Sequence, residues 1–198
     1  GLGEVACRLA ARWPEDEALQ EKVLDTLTLL CKSAGDIDDS SIEALVAAGW
    51  SSDASEGIGG GNGDASFVAV LSGALRRHQG NALVQSSALC LLGAAGQVKA
   101  AAEFLLQQEV AVSIATALEF YCKRAEELSS DLQGHEGEEA VCDCHKVAKY
   151  CLMAVWNFCM AVPPPKNSSR NSKRAAMPVA AGAFVEAGLV EKILHAMR

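Results

Sequence analysis

The sequence predicts an all-α fold assembled from repeated helical units, on three observations. Half of the 198 residues are hydrophobic but only 5% are aromatic, so the apolar content is mostly Ala, Leu and Val, which suits helices packed at close range. A long apolar stretch recurs three times along the chain. A short apolar segment closing on Gly recurs beside it.

The long stretch comes first. Residues 23–35 (VLDTLTLLCKSAG) align without a gap on residues 84–96 (VQSSALCLLGAAG), a shift of 61 from Val23 to Val84. Residues 147–159 (VAKYCLMAVWNFC) give a third copy, 63 further on from Val84 to Val147. Small or apolar residues recur in all three at spacings of three and four, one face of a helix. The short segment is residues 184–189 (FVEAGL), which matches residues 45–50 (LVAAGW), with residues 104–109 (FLLQQE) as a weaker copy carrying Gln108 at the Gly site. Gly just past a short helix ends it, because the left-handed conformation there costs Gly little. A third element follows that Gly: residues 189–197, with counterparts at 110–118, 67–75 and, after a one-residue gap, 1–9.

The order is a short helix ending on Ala-Gly, an Ile/Leu-rich helix, and a longer helix ending Ala-x-x-x-Leu-x-Asn-Leu. It resembles the three-helix armadillo repeat. Phe184, Val185, Ala187, Gly188, Leu189, Ile193 and Leu194 carry the best match to the first two helices, and residues 151–158 (CLMAVWNF) to the third. The resemblance implies a right-handed α–α superhelix, with two-helix HEAT units as the nearest alternative and an ordinary helical bundle as the plainer one.

This reading makes residues 1–198 one solenoid segment. It opens on a second helix at about 2–12, followed by a third helix reaching Gly35. The next repeat has helices near 41–49, 67–78 and 81–96, a further repeat spans 97–162, and the last begins near Ala175 and stops on its second helix. Both ends cut through a repeat without a polar cap, and position 1 is Gly, so the chain reads as part of a longer protein or assembly. Three inserts interrupt the array: a Gly/Ser tract at 51–64, an acidic stretch at 129–139 and a Pro-rich then basic stretch at 163–174.

Composition bounds function. A formal charge of −8 argues against a phosphate-binding surface. No apolar run reaches the ~20 residues a bilayer span needs, and no basic-then-apolar signal opens the chain. Most of the eight cysteines sit in apolar helical stretches as small hydrophobes, pointing to a reducing, cytoplasmic setting. The Gly tract lacks the Lys-Ser/Thr of a P-loop. Cys142, Cys144 and His145, near Cys122, His135 and Cys151, form the one candidate zinc cluster. If a helix starts near Cys142, however, residues 142 and 144 point about 200° apart. The acidic groups at 15–17, 36–39 and 136–139 read as solvated helix starts. No nucleophile–base–acid order emerges. The expectation is a non-enzymatic protein without cofactor or metal.

By the resemblance, successive third helices line a concave groove. The family's ladder Asn maps to Ser33, Ala94 and Asn157, and the Trp four residues before it in nuclear-import adaptors maps to Leu29, Cys90 and Met153. One turn back lie Asp25, Ser86 and Lys149. The missing amides and indoles argue against a clamp for an extended basic peptide. The small apolar groove that replaces it suits a protein partner presenting a helix, or a neighbouring subunit. The expected function is a protein-interaction scaffold. The alternatives are a permanent structural subunit of a large assembly and, further off, a zinc-dependent helical domain.

Overall fold

Local sequence sets the helix starts. Asp16 accepts a hydrogen bond from the Leu19 amide, Ser66 from that of Ala69, and Asn81 from those of Leu83 and Val84, each satisfying backbone donors that a first turn leaves open. Asp38 is held by the hydroxyls of Ser40 and Ser41 and by the Ser40 amide, which keep its carboxyl below the usual range. These caps precede α2 (Glu17–Leu30), α4 (Phe67–Arg77), α5 (Ala82–Ala95) and α3 (Asp39–Ala48).

A computed structural model of the chain describes residues 1–33, 36–48, 66–107, 110–131, 135–161 and 179–196. The fold is all-α. Besides the helices above it contains α1 (Leu2–Arg12), α6 (Lys99–Gln107), α7 (Val110–Asp131), α8 (His135–Ala161), α9 (Val179–Glu186) and α10 (Leu189–Ala196). Two-residue strands β1 (Lys32–Ser33) and β2 (Asp36–Ile37) pair antiparallel after α2.

Like helices touch like helices. α1 packs on α4, α4 on α7 and α7 on α10; α3 packs on α6 and α6 on α9; α2 packs on α5 and α5 on α8. Three rows of helices therefore run through the molecule around one apolar core that includes Leu24, Leu27, Leu71, Leu89, Leu92, Ile114, Cys151 and Phe158. The α9–α10 corner turns on Gly188, the one described Gly with a positive φ, +73°. That bears out the helix-ending role read for it, since a side chain there would be strained. Gly49, its counterpart, lies outside the described residues.

The structure moves the repeat register by one helical turn. α2 and α5 begin and end 65 residues apart (Leu30 to Ala95), not the 61 read from residues 23–35 and 84–96, and α1 and α4 are likewise 65 apart (Leu2 to Phe67). Two buried amides mark the equivalence. Gln20 Nε2 donates to the Ala10 and Trp13 carbonyls at 2.8 and 3.0 Å. Gln85 Nε2 donates to the Leu75 and His78 carbonyls at 2.9 and 3.2 Å, with a longer bond to Ala74. Each amide sits four residues after its cap and satisfies carbonyls that the preceding helix end leaves open. Shifting a helix by four residues turns it only about 40°, so the apolar pattern alone does not separate the two registers.

Two expected boundaries also change. α2 stops at Leu30 rather than Gly35, because the Cys31 carbonyl accepts the Asp38 amide at 2.8 Å and the chain turns back into the capped start of α3. The acidic stretch 129–139 is largely helix, not a loop insert: α7 runs to Asp131 and α8 starts at His135 rather than near Cys142. Ser129 and Ser130 bond back to the Ala125 and Glu127 carbonyls, so the polar residues continue the helix surface. The last unit is described from Val179, and Ala175, where it was expected to begin, lies outside the described residues. The inserts at 51–64 and 163–174 lie outside the described residues.

Candidate partner-binding face

α2, α5 and α8 stand side by side and run in parallel. Ser87 Oγ of α5 donates to Asp25 Oδ1 of α2 at 2.7 Å, and Asn157 Nδ2 of α8 donates to the Gly93 carbonyl of α5 at 2.8 Å. Further along, the Phe158 ring lies over Gly96, so close that a Cβ there would meet it at 2.8 Å. Each helix of the row thus has a side toward its neighbour, a side toward the core and a side toward solvent.

The sequence-derived residues divide over these sides. Leu29, Cys90 and Met153 reach the solvent side: Leu29 is 70% exposed, Met153 44%, and Cys90 half-buried. Lys149 is exposed, on the side of α8 away from α5. Asp25 is half-buried and held by Ser87. Ser86 is buried between α5 and α8, its hydroxyl without a protein partner. Ala94 is buried and presents nothing to a ligand. Asn157 spends its amide donor on Gly93, tying helix to helix. Ser33 leaves the helical row altogether: it pairs with Asp36 in the β1–β2 turn, because α2 ends before it.

Between the three helices the solvent side sinks into a cleft of about 270 Å³. Asp25, Ser86 and Cys90 line it, together with Glu21, Thr28, Leu83, Ser87, Lys146 and Tyr150. Leu83 and Lys146 were not legible from motif equivalence. They sit seven residues before Cys90 and Met153, two turns back on the same helix face, and that heptad step is the signal that finds them. The cleft is acidic on its α2 wall (Glu21, Asp25), basic on its α8 wall (Lys146), and carries apolar Leu83 between them.

The cysteine cluster does not converge. Cys142 is exposed while Cys144 and Cys151 are buried, and burial raises the thiol pKa of both buried residues. Among the described residues no three His, Cys, Asp or Glu side chains gather as a metal site. Nor is any described helix long and apolar enough to cross a membrane. Comparison with protein-family models, with curated proteins and with solved structures gives no match to this chain.

Proposed function

We propose that the three rows form a right-handed, armadillo-like superhelix and that the chain is a non-enzymatic protein-interaction scaffold in the cytoplasm. The observation that carries this reading is the row α2–α5–α8. Its parallel stacking opens Leu29, Leu83, Cys90, Lys146 and Met153 onto one continuous face with a cleft between the helices. Helical repeats create such extended surfaces by geometry. This one mixes apolar side chains with opposed charges and lacks a row of amides, so it fits a partner's helix or a neighbouring subunit rather than an extended basic strand.

Substituting Leu29→Glu together with Met153→Glu tests the face. Both side chains are exposed, so the fold should survive, and recovery of bound partner should fall at least tenfold in a native pull-down. Val112→Glu, on the exposed surface of α7, should leave recovery unchanged. If the α7 variant loses partner and the double variant does not, the face is wrongly chosen.

A second reading, permanent residence in a large assembly, has an observation of its own. Leu2, Val5 and Leu9 form an exposed apolar stripe along α1, at the edge of the molecule opposite α10. Singly such residues are ordinary, but a stripe at helical spacing is what a neighbouring subunit covers. Purification of the chain only in company with fixed stoichiometric subunits would favour this reading over a scaffold with exchangeable partners.

A further inference from the structure

The cleft over α5 has a described helix on either side of it, α2 and α8. A helix added at either end of the row would therefore pack beside α2 or α8 and not over the cleft. One polar group in its lining is unmatched. Ser86 is 7% exposed, lines the cleft and has no hydrogen-bond partner for its hydroxyl, and a buried hydroxyl left so is disfavoured. It sits seven residues before Gly93, where α8 makes contact through Ala154 and Asn157, and so on the side of α5 that faces α8. Lys146 and Tyr150 of α8 line the cleft with it. The opposite wall is half spent. Ser87 donates to Asp25 Oδ1 at 2.7 Å and Lys22 to Glu21 Oε1 at 3.0 Å, which leaves each carboxylate a second oxygen.

We propose that this cleft reads one pair of opposite charges on the partner's helix: an acidic residue toward Ser86 and Lys146, and a basic residue toward Glu21 and Asp25. The inference rests on the reading of the α2–α5–α8 face as a partner-binding surface and states what that partner carries. The acid is the anchor. Its carboxylate accepts from the Ser86 hydroxyl and the Lys146 ammonium, so it matches the one unmatched polar group with a charge-assisted bond. The base answers the two carboxylates of the other wall. At about 270 Å³ the cleft is smaller than the ~300–1,000 Å³ of sites that enclose a free small molecule. It suits side chains reaching down from a helix laid along α5. Leu83, 51% exposed between the walls, receives an apolar residue from the same helix face. Two charges that straddle this contact stand ~140–200° apart round the partner helix, which places them about two or five residues apart in its sequence. Exchanging them would set like charge against like on both walls, so the order of the pair selects the partner.

Site-specific photo-crosslinking on the whole chain, in the cells that make it, tests this. A benzophenone amino acid at position 83 is the probe, and mass spectrometry identifies the segment it reaches. The expected result is a helical segment of another protein with an acidic and a basic residue about two or five apart around the crosslink. Lys146→Glu should lower the yield several-fold, and changing the partner's acidic residue to Lys should restore it. Lys123→Glu on α7, also exposed, should leave the yield unchanged. Ser86→Ala separates docking from folding. The yield should fall several-fold while the thermal midpoint of the partner-free protein holds or rises, because the hydroxyl bonds to nothing within it. A lowered midpoint would assign Ser86 to the fold and overturn its role as a contact. A crosslinked helix without the charge pair, or one whose capture survives Lys146→Glu, would overturn this inference and leave the scaffold reading standing. Crosslinks only to this chain, or to nothing, would overturn both.

Discussion

α5 and α8 are built from the same kind of sequence and meet opposite fates on one side. α5 is flanked by α2 and α8, and nearly every residue of its second half is buried. α8 has α5 on one side and Leu152, Trp156 and Met160 bare on the other. An apolar periodicity therefore says that a face wants cover, and only the neighbours say whether it has any. At these positions Trp156 stands where α5 carries Gly93, while Leu152 stands where α5 carries Leu89.

Two aromatics on α8, two residues apart, give the sharpest way to break this comparison. Phe158 is fully buried, against Gly96 and edge-on to Phe184 at a centroid distance of 6.1 Å. Phe158→Ala should cost about 3–5 kcal/mol by cavity formation. Trp156→Ala should stay within about 0.5 kcal/mol of the parent in the isolated chain. Urea unfolding of the two variants is the measurement, and comparable losses would mean that the bare side is covered after all.

The buried glutamines come next. Gln85, bonded to three carbonyls in a fully buried position, should lose about 2–3 kcal/mol on substitution by Ala, and Gln20, with two, about 1–2 kcal/mol, since stranded buried acceptors carry the cost. A neutral Gln85→Ala would undo the 65-residue register. Gly188→Val follows, with a loss of about 1–3 kcal/mol from forcing a β-branched residue to a positive φ. Thermal denaturation should show it as a lowered midpoint, and an unchanged midpoint would deny that Gly188 ends α9.

The last effect is one of pH. Burial pushes the thiols of Cys7 and Cys31 up to about 11, with Asp38 adding to the shift at Cys31. Folded values above the ordinary thiol value near 9 mean that the fold favours the neutral form. That stabilisation is whole below pH 9 and is lost as pH rises through 11. The midpoint of thermal unfolding should therefore decline over this range, and less steeply in a Cys7→Ala, Cys31→Ala variant. Parallel declines in the two proteins would refute the assignment.

Much of the architecture was legible in the residues. The helices near 2–12, 67–78 and 81–96 fall within two residues of those observed, because caps such as Asn81 and apolar spacing act over a single turn. The turn at Gly188 was legible for the same reason. Of the residues read onto the partner face, Leu29, Cys90 and Met153 reach the solvent side. Ser33 and Ala94 do not, since a helix end and a neighbour's approach depend on chain far away. Nothing in the acidic composition of 129–139 said that α7 would extend to Asp131 and α8 begin at His135, because Glu, Ala and Ser serve a helix surface as readily as a loop.

What the sequence by itself determined is the all-α class, the order of the helix types and the Gly that ends α9, all local consequences of periodicity and backbone freedom. Tertiary structure alone decided the register and the exposure. A slip of four residues leaves every apolar stripe nearly in place, so only the reach of Gln20 and Gln85 to the carbonyls of the helix before them selects 65 residues over 61. Whether a stripe is core or docking surface depends on which helix lies against it, a fact of packing that no single helix carries.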